Sequence, residues 1–278
     1  MRPSNFSAVN AINARLAGEF KASYAFLERN INLVRRYAGW ELCFLVYAMV
    51  STFSIGLIGK TMGDDRAVLY LLVGALMWSF LSSIFNEVAH SISWERWEDT
   101  LEYTFMAPVH RLTHLVGVTW FAIVYGLART LIVLLACSWF FELNLAGANI
   151  PGAMLILAAS CFPMLGMGLV VAVMPLLSAE KGTQAAHIIL GIVLLISGVY
   201  YPIEALPAWL QPLGRICPVT YSLDGVRKAL LDGTSTLELL PLAGALLLAG
   251  IVLIPAGYAV FTKGEHFAKV HGLLKRSG

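Results

Sequence analysis

Charge is what this chain has least of. Only 13% of its 278 residues are Asp, Glu, Lys or Arg, roughly half of what a soluble domain carries. That shortage excludes an ordinary water-soluble globular domain. Cysteine patterning is missing too. The four cysteines, Cys43, Cys137, Cys161 and Cys217, form no CxxC pair, and three lie in apolar runs. They read as small buried side chains rather than a disulfide framework or a thiolate metal site. No basic patch with interleaved aromatics appears, so a net charge of +2 does not point to nucleic acid. Internal repeats and low-complexity tracts are absent. Residues 1–39 carry six basic residues without a continuous apolar core, which excludes a secretory signal there.

In place of charge stands apolar sequence, 58% of the chain. A helix needs about 20 mostly apolar residues to cross the hydrocarbon layer. Six runs meet that description: 40–59, 67–85, 115–140, 151–177, 185–200 and 237–261, the fifth being short. Pro163, Gly166, Gly168 and Pro255 inside them are tolerated in membrane helices. The expected fold class is therefore an all-α integral membrane protein with six transmembrane helices in one domain, 40–261.

Six spans leave both termini on one side of the membrane. That side, with 1–39, 86–114, 178–184 and the basic tail 262–278, holds 13 Lys and Arg against 5 on the other. The positive-inside rule makes it cytoplasmic and turns 201–236 outward. The N-terminal segment is not a span. Phe6, Val9, Ile12, Leu16, Phe20, Tyr24, Leu27, Ile31 and Val34 recur every three or four residues, a single helical stripe. With Arg15, Lys21, Arg29, Arg35 and Arg36 on other faces, this is expected to be an interfacial amphipathic helix against membrane lipids. Its near-heptad spacing also suits a partner-docking helix.

Enzyme signatures fail one by one. "SIGLIGKT", Ser54–Thr61, ends like a phosphate-binding loop but starts with serine and closes a membrane run rather than joining strand to helix. "HRLTH" spaces His110 and His114 four apart, yet Arg111 stands where a zinc hydrolase needs its glutamate. No catalytic residue, cofactor site or metal site is expected in this chain.

Four features could serve transport. Arg129 is the one basic residue deep in an apolar run, and a charge at mid-membrane costs about 2.5–3.5 kcal/mol on insertion scales, so it must face protein or water. It is either a pathway contact or an internal structural pair, and no matching intramembrane acid is evident; Glu41 reads as an interfacial charge. Along the first run Trp40, Phe44, Tyr47, Ser51 and Ser54 share one face. That face fits either a pathway for sugar- or lipid-like cargo or an aromatic belt with a packing seam. "SISWERWEDTLEYTFMAPVHRLTH", from Ser91, mixes Glu95, Arg96, Glu98, Asp99 and Glu102 with the anchors Trp94, Trp97 and Leu101, material for a protein interface. Last, Pro202, Pro207, Pro212 and Pro218 break the stretch after the fifth run, too polar for a straight span yet nearly half apolar.

Two of these segments together carry a family likeness. "WERWEDTLEYTFMAPVHR" and "SGVYYPIEALPAWLQPLGRICPVTYSLDGVRKALLDG" resemble permeases of type-2 ABC exporters, which show an ERE–GTLE–L–xPV–R pattern and an SG–FPIxxLPxWLQ run followed by an NPLTY turn. The chain departs in having Trp97-Glu98-Asp99 for Glu-Arg-Gly and Cys217-Pro218-Val219-Thr220-Tyr221 for the turn. By that resemblance Trp94, Glu95, Arg96, Trp97, Glu98, Asp99, Leu101 and Glu102 belong to a coupling helix seated on a separate ATPase, with 178–184 as a smaller contact. Two short re-entrant helices between the fifth and sixth spans would close the exit, with Pro202, Leu206, Trp209, Leu210, Pro218 and Tyr221 as gate candidates. Trp40, Phe44, Tyr47, Ser51, Ser54, Arg129, Tyr200 and Tyr201 are the candidates for lining the path. The resemblance further implies a second permease copy, two ATPase subunits that bind the ATP and Mg, and a lipid, lipid-linked glycan or drug as cargo. The expected place is a prokaryotic inner membrane. The competing classes are a secondary transporter, which needs buried acids or paired halves, and a non-transporting assembly or anchoring protein.

Overall fold

A computed structural model describes residues 5–97, 111–143, 147–178 and 181–273. Among these no strand occurs. The helices, in chain order, are α1 (Asn5–Arg36), α2 (Ala38–Thr61), α3 (Asp65–Trp97), α4 (Arg111–Phe140), α5 (Ile150–Val171), α6 (Val173–Leu177), α7 (Gly182–Ile196), α8 (Gln211–Ile216), α9 (Pro218–Leu231) and α10 (Thr236–Val270), with one 3₁₀ turn at Ile203–Ala205.

Five stretches are long and apolar enough to cross a membrane: Ala38–Thr61, Arg66–Phe85, Ile123–Phe140, Ile150–Leu177 and Thr236–Val270. The fifth expected run, 185–200, differs. It forms α7, only 15 residues and so about 22 Å long, short of the roughly 30 Å hydrocarbon layer. Ser197 caps it and Gly198 follows at φ +70°, a conformation glycine adopts without a Cβ penalty. The fourth span is interrupted as well. Pro175 has no N–H, and its ring crowds the carbonyl four residues back, at Val171, where α5 ends before α6 begins.

Helix α3 is central, with α5, α9 and α10 around one core of Met77, Phe80, Ile84, Ile156, Met164, Val226 and Leu246. α2, α3 and α4 share a second, containing Ala48, Leu72, Leu76, Val133 and Cys137. α5 and α10 pack most closely. A Cβ on Gly257 would lie 2.3 Å from the Gly166 carbonyl oxygen, so glycine lets two helix backbones touch, the usual device where lipid offers no hydrophobic drive to association. α1 lies chiefly along α4, with Asn30 buried and Tyr24 exposed.

Asn149 ties the ends of three helices. Its side chain caps α5 by accepting from the Gly152 N–H at 3.0 Å and donates to the Thr234 carbonyl at 2.7 Å. Its own N–H reaches the Ala229 carbonyl at 2.8 Å. Asn149→Ala is expected to cost about 1–2 kcal/mol, read as a lowered thermal midpoint of the purified protein. Asp232→Ala breaks only the exposed 2.8 Å pair with Arg66 and should cost less than about 1 kcal/mol.

Candidate functional site

The first-span face is fully displayed. Trp40, Phe44, Tyr47, Ser51 and Ser54 are all exposed, Trp40 at 66% and Tyr47 at 73%. The seam that packs α2 within the chain is another one: Ala48, Thr52, Gly56 and Gly59 are buried. The Ser54 hydroxyl donates back to the Val50 carbonyl at 2.8 Å, which leaves it only as an acceptor.

Arg129 of α4 reaches across to this helix. Its Nη2 donates to the Phe44 carbonyl at 2.9 Å, and the buried Nε finds no hydrogen-bond partner among the described residues. One turn earlier on α4 the Tyr125 hydroxyl donates to the Glu41 carboxylate, and Tyr125 stacks on Phe121 with ring centroids 5.5 Å apart. Glu41, read from sequence as an interfacial charge, is thus a bridge between the first and third spans. No described carboxylate pairs with Arg129.

The second site is the break between α7 and α9. Cys217 precedes α9, which opens on Pro218, where the missing N–H costs nothing. Ile216, Pro218 and Tyr221 border a small cavity with Ala245, Leu246 and Ala249 of α10. Those residues lie nine to thirteen past Thr236, about 14–20 Å along that helix, so the start of α9 is level with the middle of the apolar run 237–261 within α10. Irregular backbone at such depth needs internal partners, and it has them. The Thr220 hydroxyl donates to the Gly214 carbonyl at 2.8 Å, the Tyr221 hydroxyl to that of Arg215 at 2.6 Å, and the Gln211 amide to that of Leu206 at 3.0 Å.

Arg227 does most of this work, and nothing in the sequence singled it out. From α9 it donates to the Gly198 and Val199 carbonyls at 3.2 and 2.6 Å, and its guanidinium lies 3.6 Å from the centre of the Tyr70 ring on α3. A cation over a ring face is attracted by its quadrupole, and these carbonyls lie just past the end of α7, where the negative end of its helix dipole also favours a cation. Gly74, on α3, clears the space: a Cβ there would stand 2.1 Å from the Val199 carbonyl oxygen.

The gate candidates divide. Leu206 is buried, Leu210 and Pro218 are half-buried, and Pro202 and Tyr221 are exposed, as is Trp209 at 73%. Tyr200 packs on the central core and the Tyr201 hydroxyl bonds the Leu195 carbonyl. The first of the two expected short helices proves to be a 3₁₀ turn followed by six-residue α8. Trp94, Glu95, Arg96 and Trp97 continue the backbone of α3, twelve residues past the expected span end at Phe85. Glu98, Asp99, Leu101 and Glu102 lie outside the described residues, as do residues 179–180 of the second expected contact.

Long apolar helices, polar bridges between spans and a broken helix at depth define a multi-pass helical membrane protein. A family model described as "ABC-2 type transporter" matches residues 24–231, and the chain belongs to that family. Membership places it among the membrane components of transporters. A stretch of 127 residues, 45% of this chain, is 24% identical to the linearmycin resistance permease protein LnrN of Bacillus subtilis (strain 168). The match spans about a third, 32%, of that relative's length.

Proposed function

We propose that this chain is the transmembrane permease of an ATP-driven exporter, moving an amphipathic cargo outward while a separate ATPase hydrolyses ATP. The family match over 24–231 carries the reading, because it encloses the segment around Trp94–Glu102, the first-span face and the broken helix. The working unit is two permeases with two ATPase subunits, in an inner membrane with both termini cytoplasmic. Trp94, Trp97 and Leu101 anchor the ATPase contact, with the charges of 95–102 as its rim. α7 and α9 together make the fifth crossing, before α10: α7 runs about 22 Å and α9 about 21 Å, and 197–217 folds in from the outer side between them as a re-entrant exit gate. The first-span face lines the path. A resistance permease among the relatives supports a lipid-like or drug-like cargo over a small polar one.

Trp97→Ala, or Glu98 and Asp99 both to Lys, is expected to cut ATP-dependent export at least about tenfold, since interface anchors cost upwards of about 2 kcal/mol when truncated. Membrane insertion is expected to stay normal. Normal export with wild-type ATPase binding in both variants would remove the coupling assignment.

A further inference from the structure

Two arginines sit within the apolar helices, and the protein treats them differently. Arg227 donates to two carbonyls and covers a tyrosine ring, and only its buried Nε is without a partner among the described residues. Arg129 has five N–H donors, one described hydrogen bond, and that to a neutral carbonyl already belonging to a helix. Its Nε is buried without a partner among the described residues. Buried donors in native structures are satisfied, by ligand or solvent if not by protein, and a guanidinium's planar fork matches phosphate and carboxylate.

The surroundings narrow the ligand further. Arg129 meets α2 at Phe44, six residues past Ala38, the start of that helix's membrane-length stretch, about 9 Å along it. Side chains on a helix lean toward its N-terminus, so the guanidinium points toward the nearer membrane surface. Phe44, which supplies its carbonyl, belongs to the exposed row Trp40, Phe44, Tyr47. Cationic group and aromatic row together fit a molecule with an anionic head and a hydrophobic body. Glu41 lies one turn before Phe44, its carboxylate held by the Tyr125 hydroxyl, and it forms no ion pair with Arg129 among the described residues.

We propose that the groove between α2 and α4 binds the phosphate or carboxylate headgroup of an amphiphile through Arg129, with its hydrophobic part along Trp40, Phe44 and Tyr47. Calling that amphiphile cargo rests on the exporter reading; the binding itself does not.

The test uses the full chain in phosphatidylcholine vesicles with spin-labelled phosphatidic acid or spin-labelled phosphatidylcholine as probe. The motionally restricted fraction of each is measured by electron paramagnetic resonance. The wild type is expected to favour phosphatidic acid about fivefold, the size of one cationic contact near a charged surface. Arg129→Gln should remove the preference while zwitterionic probe still binds, and Arg129→Lys should keep part of it. Arg66→Gln, which loses an equal charge at the exposed pair with Asp232, should leave it intact. Excess inorganic phosphate should not displace the lipid. An unchanged preference in Arg129→Gln, an equal loss in Arg66→Gln, or displacement by phosphate would each overturn the proposal. No ATPase or nucleotide is present, so failure of export leaves this result standing. Working export without the preference would sink this proposal alone.

Discussion

Gly74→Val is expected to leave almost no correctly assembled protein. A Cβ at this position meets the Val199 carbonyl oxygen at 2.1 Å and the Arg227 guanidinium at 3.1 Å. The first of these is backbone, held by Arg227 and fully buried, so no side-chain rotation relieves the clash. Either α3 leaves its place in the core or residues 198–199 move off Arg227. Overpacking with yielding neighbours costs about 1–3 kcal/mol, and an unyielding backbone puts this case at the upper end or beyond. Size-exclusion profiles before and after heating would show it as lost monodisperse protein. Gly191→Val on α7 is the control: nothing lies within 4 Å of its Cβ, and the profile should match wild type.

Arg227→Met is expected to keep the bundle but open the break. The methionine fills similar volume and leaves the Gly198 and Val199 carbonyls without their donors, at about 1–3 kcal/mol for each buried group left unpaired. Arg227→Lys, with one point charge in place of a fork, should fall between. Cys217 reports the opening. It is buried, so wild-type protein should alkylate slowly there. For the same reason cross-linking through Cys217 is a poor test of gate movement. In a Cys43→Ser background, since Cys43 is the exposed cysteine, Arg227→Met should speed alkylation of Cys217 about tenfold or more, because labelling follows the population of the opened segment. Equal rates in Met, Lys and wild type would show that Arg227 does not hold the break.

Much of this fold was legible because hydropathy alone marks a long lipid-facing helix. The first, second, third and last runs form helices within a few residues of where composition places them, although α3 and α10 continue well past the apolar stretch. What composition does not register is a backbone defect inside an apolar run. The fourth run reads as unbroken, yet Pro175 stops α5 at Val171. The fifth reads as reaching Tyr200, yet Gly198 turns the chain out of helix after Ile196.

The polar bridges were illegible for a different reason. A search for Arg129's partner among acids finds none, because the partner is a main-chain carbonyl, which every residue possesses. Arg227 sits in "DGVRKALL", beside Asp224 and Lys228, which pair at 2.8 Å on the exposed side of the same helix. That pattern reads as a solvated amphipathic helix, and only the burial of α9 beside α3 shows that one of its charges points inward. The spacing of Trp40, Phe44 and Tyr47, in contrast, marked a real face, and the chain leaves all three uncovered.

As proposed, this permease moves an amphiphile using ATP hydrolysed by another subunit. The most direct measurement is cargo movement and ATP hydrolysis in vesicles containing the full chain together with its ABC ATPase. The two proteins are expected to purify together, an anionic amphiphile to raise ATP hydrolysis, and outward movement to stop when ATP is withheld or when Glu98 and Asp99 become Lys. Movement that persists without ATP or ATPase and follows an imposed ion gradient would contradict it.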